Sequence, residues 1–192
     1  EQIVGKMTMY RIAVHAERSR LLGEAMTMFV ADTPGPLEQV MHFHKRTAGA
    51  ETNVAIGLAR LGLAVGWGSR LGADSMGRYL LAAMRGEGID CSRVEVTAGA
   101  PSGFMFKGRV DDGSDALVEY HRKGSAASRM TVAQLDETWL RSARHLHVTG
   151  VFPALSANCL EVTQRAIAVM RDAGRSLSFD PNLRPSLWAS TE

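Results

Sequence analysis

The chain has 192 residues, 45% of them hydrophobic and 22% charged, with a formal net charge of +2: enough for one substantial core and too apolar for disorder. The basic residues are scattered rather than blocked, which excludes the electrostatic footprint of a nucleic-acid binder. Cys91 and Cys159 stand far apart and outside any paired-ligand spacing, which argues against a disulfide framework or a zinc site; with no membrane-length apolar run and no signal-peptide pattern, a cytoplasmic protein without membrane partners is expected.

Residues 1–20 hold a short apolar patch, Met9 to Val14, and then a charged stretch; they read as a first strand or an irregular extension. Leu21 to Val30 (LLGEAMTMFV) reads as one strand, with Gly23 and Glu24 where a buried strand emerges at a site. The Glu24 carboxylate there either accepts hydrogen bonds from ligand hydroxyls or sits solvated at an edge. Asp32 to Pro36 (DTPGP) is a turn by composition, and VMHFHKR alternates as a half-exposed strand does. That places His42 and His44 on one side, where a metal would need further ligands that the sequence does not show.

Thr47 to Gly62 (TAGAETNVAIGLARLG) is the stretch around which the chain is organised. Ala48, Gly49 and Ala50 allow close approach of backbone to a ligand, and Asn53 opens a helical run that Gly62 ends. A small-residue turn feeding a helix presents unpaired N–H groups suited to an anionic or polyhydroxylated ligand. The same residues also suit a plain turn with Asn53 as cap.

Leu63 to Leu71 follows as a buried strand, and Asp74 starts a helix ending near Gly86 and Gly88. Gly66, Gly68 and Gly72 have GxGxxxG spacing without a later acidic partner, which excludes a dinucleotide fingerprint. After a short strand at Cys91 to Val96, the runs Gly103 to Val110 and Ala116 to Arg122 flank DDGSD as a hairpin standing off the main sheet as a lid. Tyr120 and Arg122, two apart, share a face of its second arm, which pairs a phenol with a guanidinium or blunts an exposed edge with charge. Thr131 with Gln134 forms a capping box for one helix, VAQLDETWLRSA. Arg144 to Val151 is a strand whose His145 and His147 fit a partly polar face better than a metal site. Ser156 caps a helix closed by Gly174, Ser178 to Asp180 ends a further strand, and PNLRPSLW departs as a loop.

Strands alternating with helices predict a parallel sheet covered on both faces, with ligands beyond the carboxyl ends of its strands. That geometry selects Glu24, Gly49, Gly150, Val151 and Asp180 to Arg184 for one cleft roofed by the hairpin. Arg122 and Arg184 there call for an anion, since a guanidinium is always charged and its fork matches a carboxylate or phosphate. The expected ligand is a small hydroxylated acid.

AGAETNVAIGLARLG, with glycines at 62 and 72, resembles the first signature of the ribokinase-like (PfkB) carbohydrate kinases. The additional residue before Asn53, with LGEAM, EYHRKGSAAS, TGVFPALS and FDPNLRPSLW, is similar to the 2-keto-3-deoxygluconate kinases. The resemblance implies a three-layer α/β fold with a small β lid, built from segments about 31–46 and 101–123, with residues 1–192 as the N-terminal part of one domain. It implies transfer of the ATP γ-phosphoryl group to the terminal hydroxyl of 2-keto-3-deoxygluconate with Mg2+. Carried onto these residues, Gly49 would contact sugar hydroxyls through its backbone, with Asn53 and Glu24 in the same site. Tyr120 would pack on the sugar, Arg122 and Arg184 would hold its keto-acid end, and Val151 would line the pocket. Asp180 and Asn182 would face the phosphate side, unless Asp180 serves only to fix the loop. Where related kinases often carry an aromatic or an amide, this chain has Met105. Such kinases hold their catalytic aspartate in a GAGD motif, which does not occur here, so no catalytic residue is assigned. The expectation is therefore the sugar-binding and lid portion of a kinase, inactive alone and forming a homo-oligomer through the lid. Another ribokinase-like kinase for a neutral sugar or nucleoside, or a catalytically silent sugar-binding module, are the alternatives.

Overall fold

Leu21 and Leu22 are adjacent in strand β1 (Arg18–Leu22), so they point to opposite faces of the sheet, and each joins a separate core. The computed structural model describes residues 18–183 and Leu187. The Met9–Val14 patch and Arg184 lie outside the described residues.

The main sheet has five strands in the order β5-β4-β1-β8-β9, all parallel: β4 is Ala64–Gly72, β5 Asp90–Thr97, β8 His145–Thr149 and β9 Ser176–Asp180. Helices α1 (Ala50–Arg60) and α2 (Ser75–Gly86) cover one face, where Leu21, Ala55, Trp67, Leu80 and Met84 pack together. Helices α3 (Glu137–Arg141) and α4 (Ala157–Asp172) cover the other, around Leu22, Trp139, Leu146 and Val162. The three-layer arrangement expected from the alternation of strands and helices is thus present. The chain moves outward from β1 through β4 to β5, then returns to the other side of β1 at β8. A reversal of this kind leaves a crevice beyond the carboxyl ends of β1 and β8.

A second, four-stranded sheet has the order β3-β2-β6-β7, with β2 at Met26–Ala31, β3 at Phe43–Ala48, β6 at Phe104–Lys107 and β7 at Val118–His121. Its β2–β3 pair is inserted between β1 and α1, and its antiparallel β6–β7 hairpin between β5 and α3.

Four local expectations are corrected. Leu21 to Val30 is two strands in different sheets, because the chain turns at Gly23 to Ala25, where Trp67 Nε1 donates to the Gly23 carbonyl at 3.0 Å and Glu24 is buried. Helix α1 starts at Ala50, not Asn53: Gly49 is its N-cap with φ 155°, and the Asn53 N–H already donates to the Gly49 carbonyl at 3.0 Å. The Thr131–Gln134 capping box forms, but on a 3-10 turn, Val132–Gln134; Asp136 then caps α3 by accepting from the Trp139 N–H at 2.8 Å. The predicted single helix is therefore two short elements. Finally, β3 begins at Phe43, so His42 lies outside it, and His44 meets Asp32 at 3.1 Å. Among the described residues no helix is long and apolar enough to cross a membrane.

Candidate functional site

A cavity of about 800 Å³ lies where the carboxyl ends of the main strands meet the second sheet. Side chains alternate across a strand, so one face of that sheet presents Met26, Met28, Met105 and Tyr120 to the cavity. The opposite face carries Phe29, Phe43, Phe104 and Phe106, whose rings contact one another at centroid distances of 5.3–6.4 Å.

The opposite wall is built from two turns. Gly49 and Ala50 open α1, and Asn53 follows one turn later on the cavity side. Val151 follows β8, its N–H donating to Thr149 Oγ1 at 3.0 Å. Asp180 fixes the neighbouring segment: its carbonyl accepts from the Gly150 N–H at 2.9 Å and its carboxylate from the Asn182 N–H at 3.0 Å.

Beneath the cavity lies a buried charge cluster. Arg122 meets Glu24 at 2.5 Å, with side-chain exposures of 10% and 2%. Ser125 Oγ donates to the other Glu24 oxygen, also at 2.5 Å. Burial pushes the Glu24 carboxyl upward, while the Arg122 charge and the Ser125 hydroxyl oppose it. The Tyr120 ring lies 5.9 Å from the Arg122 guanidinium. Arg122 Nε is buried and has no hydrogen-bond partner among the described residues. Glu51, in the first turn of α1, accepts from Thr149 Oγ1 at 2.6 Å, and burial pushes its carboxyl up to about 7.

Of the residues singled out in the sequence, Gly49, Asn53, Tyr120, Arg122, Val151 and Asn182 line this one cavity. Glu24 sits below it, its carboxylate engaged by Arg122 and Ser125 rather than presented to a ligand. Asp180 is held to the loop, and Arg184 is outside the described residues. Lys107 and Lys123 also line the cavity and were missed; period-two alternation from Met105 would have flagged Lys107. Glu51 was missed because nothing in the helical pattern marks a buried carboxyl. His145 bonds Ser176 and Ser178 at 2.8 Å each, and His147 bonds Ser178 at 2.8 Å. Burial holds both imidazoles below their usual value, and no cluster of metal ligands occurs among the described residues.

The cavity lining thus carries Lys107, Arg122 and Lys123 and no acidic residue among the described positions. Its hydroxyl, amide and backbone N–H groups suit a polyol, and its charge suits an acid.

Comparison with known proteins agrees with this architecture. The chain is 48% identical over 167 residues to the 2-dehydro-3-deoxygluconokinase of Bacillus subtilis (strain 168), spanning 86% of this chain and 51% of that protein. A crystal structure of a PfkB protein from Polaromonas sp. JS666 superposes with a TM-score of 0.88 at 67% identity, over 91% of this chain and 58% of that one. The 2-dehydro-3-deoxygluconokinase of Thermotoga maritima superposes with a TM-score of 0.85 at 26% identity, over 90% of this chain and 53% of that one. The chain therefore spans about half the length of these relatives. With residues 17–192 matching throughout, the chain belongs to the pfkB family of carbohydrate kinases.

Proposed function

We propose that these residues form the sugar-binding and lid part of a 2-dehydro-3-deoxygluconokinase, which phosphorylates 2-keto-3-deoxygluconate at its terminal hydroxyl. The observation that carries this reading is the sign of the cavity: Lys107, Arg122 and Lys123 line it without a carboxylate, and the buried Arg122 Nε is unpartnered among the described residues. Glu24 already balances the Arg122 charge, and an anionic ligand end supplies the acceptor that the Nε–H lacks, with Lys107 and Lys123 adding positive charge to the lining. In the proposed pose the sugar carboxylate meets Arg122, joined by Arg184. Tyr120 covers the ring or chain, and the backbone at Gly49 with Asn53 reaches the hydroxyls. Val151 gives an apolar wall, and Asn182 lies toward the phosphate side, held by Asp180.

ATP and Mg2+ belong to this proposal for the whole protein. The described residues offer no cluster of divalent-ion ligands, so no step of phosphoryl transfer is assigned to them. With no GAGD aspartate in the sequence, the 192 residues alone are expected to bind sugar without producing ADP. The reading includes a cytoplasmic setting, supported by two free, buried cysteines whose thiols burial pushes up to about 11. It includes a homo-oligomer through the lid, supported by the phenylalanine cluster on the face turned from the cavity.

Titration calorimetry tests the substrate. 2-keto-3-deoxygluconate should bind about 10–100-fold more tightly than its analogue with the carboxylate reduced to an alcohol, the range expected for a charged hydrogen bond. Arg122→Ala and Arg184→Ala should remove that preference. Equal affinity for the two ligands would overturn the assignment in favour of a neutral sugar.

A further inference from the structure

Glu51 is a buried carboxyl that the binding scheme leaves unused. Its residue is 1% exposed, and its position in the first turn of α1 places it directly after the cavity-lining Gly49 and Ala50. Thr149 Oγ1 donates to Glu51 Oε1 at 2.6 Å and itself accepts from the Val151 N–H at 3.0 Å. One carboxyl thereby ties the helix wall of the cavity to the β8 wall.

The charged groups that act on Glu51 are Arg122, which follows β7, and Glu24, in the turn between β1 and β2. The Cys159 thiol of α4 also lies in its field, but burial holds it in the neutral form. Arg122 and Glu24 carry opposite charges 2.5 Å apart and largely cancel. The protonation state of Glu51 then decides whether the floor of the cavity is neutral or carries one net negative charge.

We propose that Glu51 is a positioning residue that gates the acid-sugar site by its proton: through Thr149 it ties the Gly49 wall to the Val151 wall, and neutral it leaves the floor uncharged for the ligand's carboxylate, whereas ionised it opposes that carboxylate. The proposal rests on the sugar-acid reading above. Geometry supplies the coupling, and the burial-raised carboxyl, near 7, brings the switch into the ordinary working range. By linkage, an anion arriving near Glu51 raises its proton affinity, so binding takes up a proton around neutral pH and weakens as pH rises.

The test uses the 192-residue chain with 2-keto-3-deoxygluconate, comparing wild type with Glu51→Gln, whose amide oxygen still accepts from Thr149. Between about pH 6.5 and about pH 8.5 the wild-type Kd should rise by roughly threefold to tenfold, whereas the Glu51→Gln Kd stays flat. Sugar binding with a flat wild-type profile overturns the gate and leaves the substrate reading intact. If neither protein binds the sugar, the substrate reading fails, and ligand-free carbon-13 NMR decides the gate. A Glu51 carboxyl titrating near neutrality with the Val151 amide shift following it supports the gate, and an unperturbed titration overturns it. Thr149→Val is the second variant, should Glu51→Gln not fold. It should raise the Glu51 titration, because the Thr149 hydroxyl favours the ionised form; an unchanged titration overturns the relay.

Discussion

The guanidinium of Arg122 and the carboxylate of Glu24 meet at 2.5 Å under the lid, fixing the end of the β7 arm to the exit of β1. Removing either partner leaves the other as an uncompensated buried charge. Arg122→Ala should therefore cost about 3–5 kcal/mol in chemical denaturation. The Arg122→Ala, Glu24→Gln double variant should recover a substantial share of that loss. Strict additivity of the two single changes would show that the pair is not coupled.

Stability should fall as pH rises through the Glu51 titration. Its folded value, about 7, lies above the ordinary 4.5, so the folded state binds the proton more tightly than the unfolded chain. The penalty is absent below the ordinary value, grows as pH rises from there to about 7, and is constant above, reaching about 3 kcal/mol. Urea midpoints taken across that window should decline in wild type more than in Glu51→Gln. Parallel curves for the two proteins would assign the decline to other groups.

Gly150→Ala should disturb the site without emptying a core. A Cβ at this position collides with the Pro181 carbonyl oxygen, and the Gly150 N–H holds the adjoining Asp180 carbonyl at 2.9 Å, so the segment cannot retreat freely. The expected cost is about 1–3 kcal/mol of stability, with weakened sugar binding from displacement of Asn182. Calorimetry on the folded variant measures the second effect; unchanged affinity would remove Asn182 and its loop from the site.

Phe106 sits among Phe29, Phe43 and Phe104 on the lid face away from the cavity. Phe106→Asp should convert a lid-paired oligomer to monomer in light scattering at working concentration. Monomeric wild type under the same conditions would end that part of the proposal.

Much of the architecture was legible because its elements carry local signals. Asp74 and Ser156 cap the helices that they were expected to cap, accepting from Gly77 and Cys159 N–H groups at 2.7 and 3.1 Å. The DDGSD hairpin also lies in a second sheet, as its break in the strand-helix rhythm implied. What failed was decided by tertiary packing. The run LLGEAMTMFV looks continuous, but burial of Glu24 against Arg122 and the Trp67 bond to Gly23 divide it between two sheets. The site was legible as a set of residue types at strand ends. The chain gives no local sign that Arg122 would be committed to Glu24, whereas the inward turn of Lys107 follows from its spacing of two from Met105.

The lid draws its strands from two separate insertions, joined where β2 pairs in parallel with β6. A lone two-stranded ribbon is marginal in water, and closing this seam requires ends far apart along the polypeptide to be brought together first. Association of the scaffold strands β1, β4 and β5 is therefore expected to precede assembly of the roof. A roof held by one long-range seam should also open more readily than the scaffold, so its amides should exchange with deuterium ahead of those in β1 and β4.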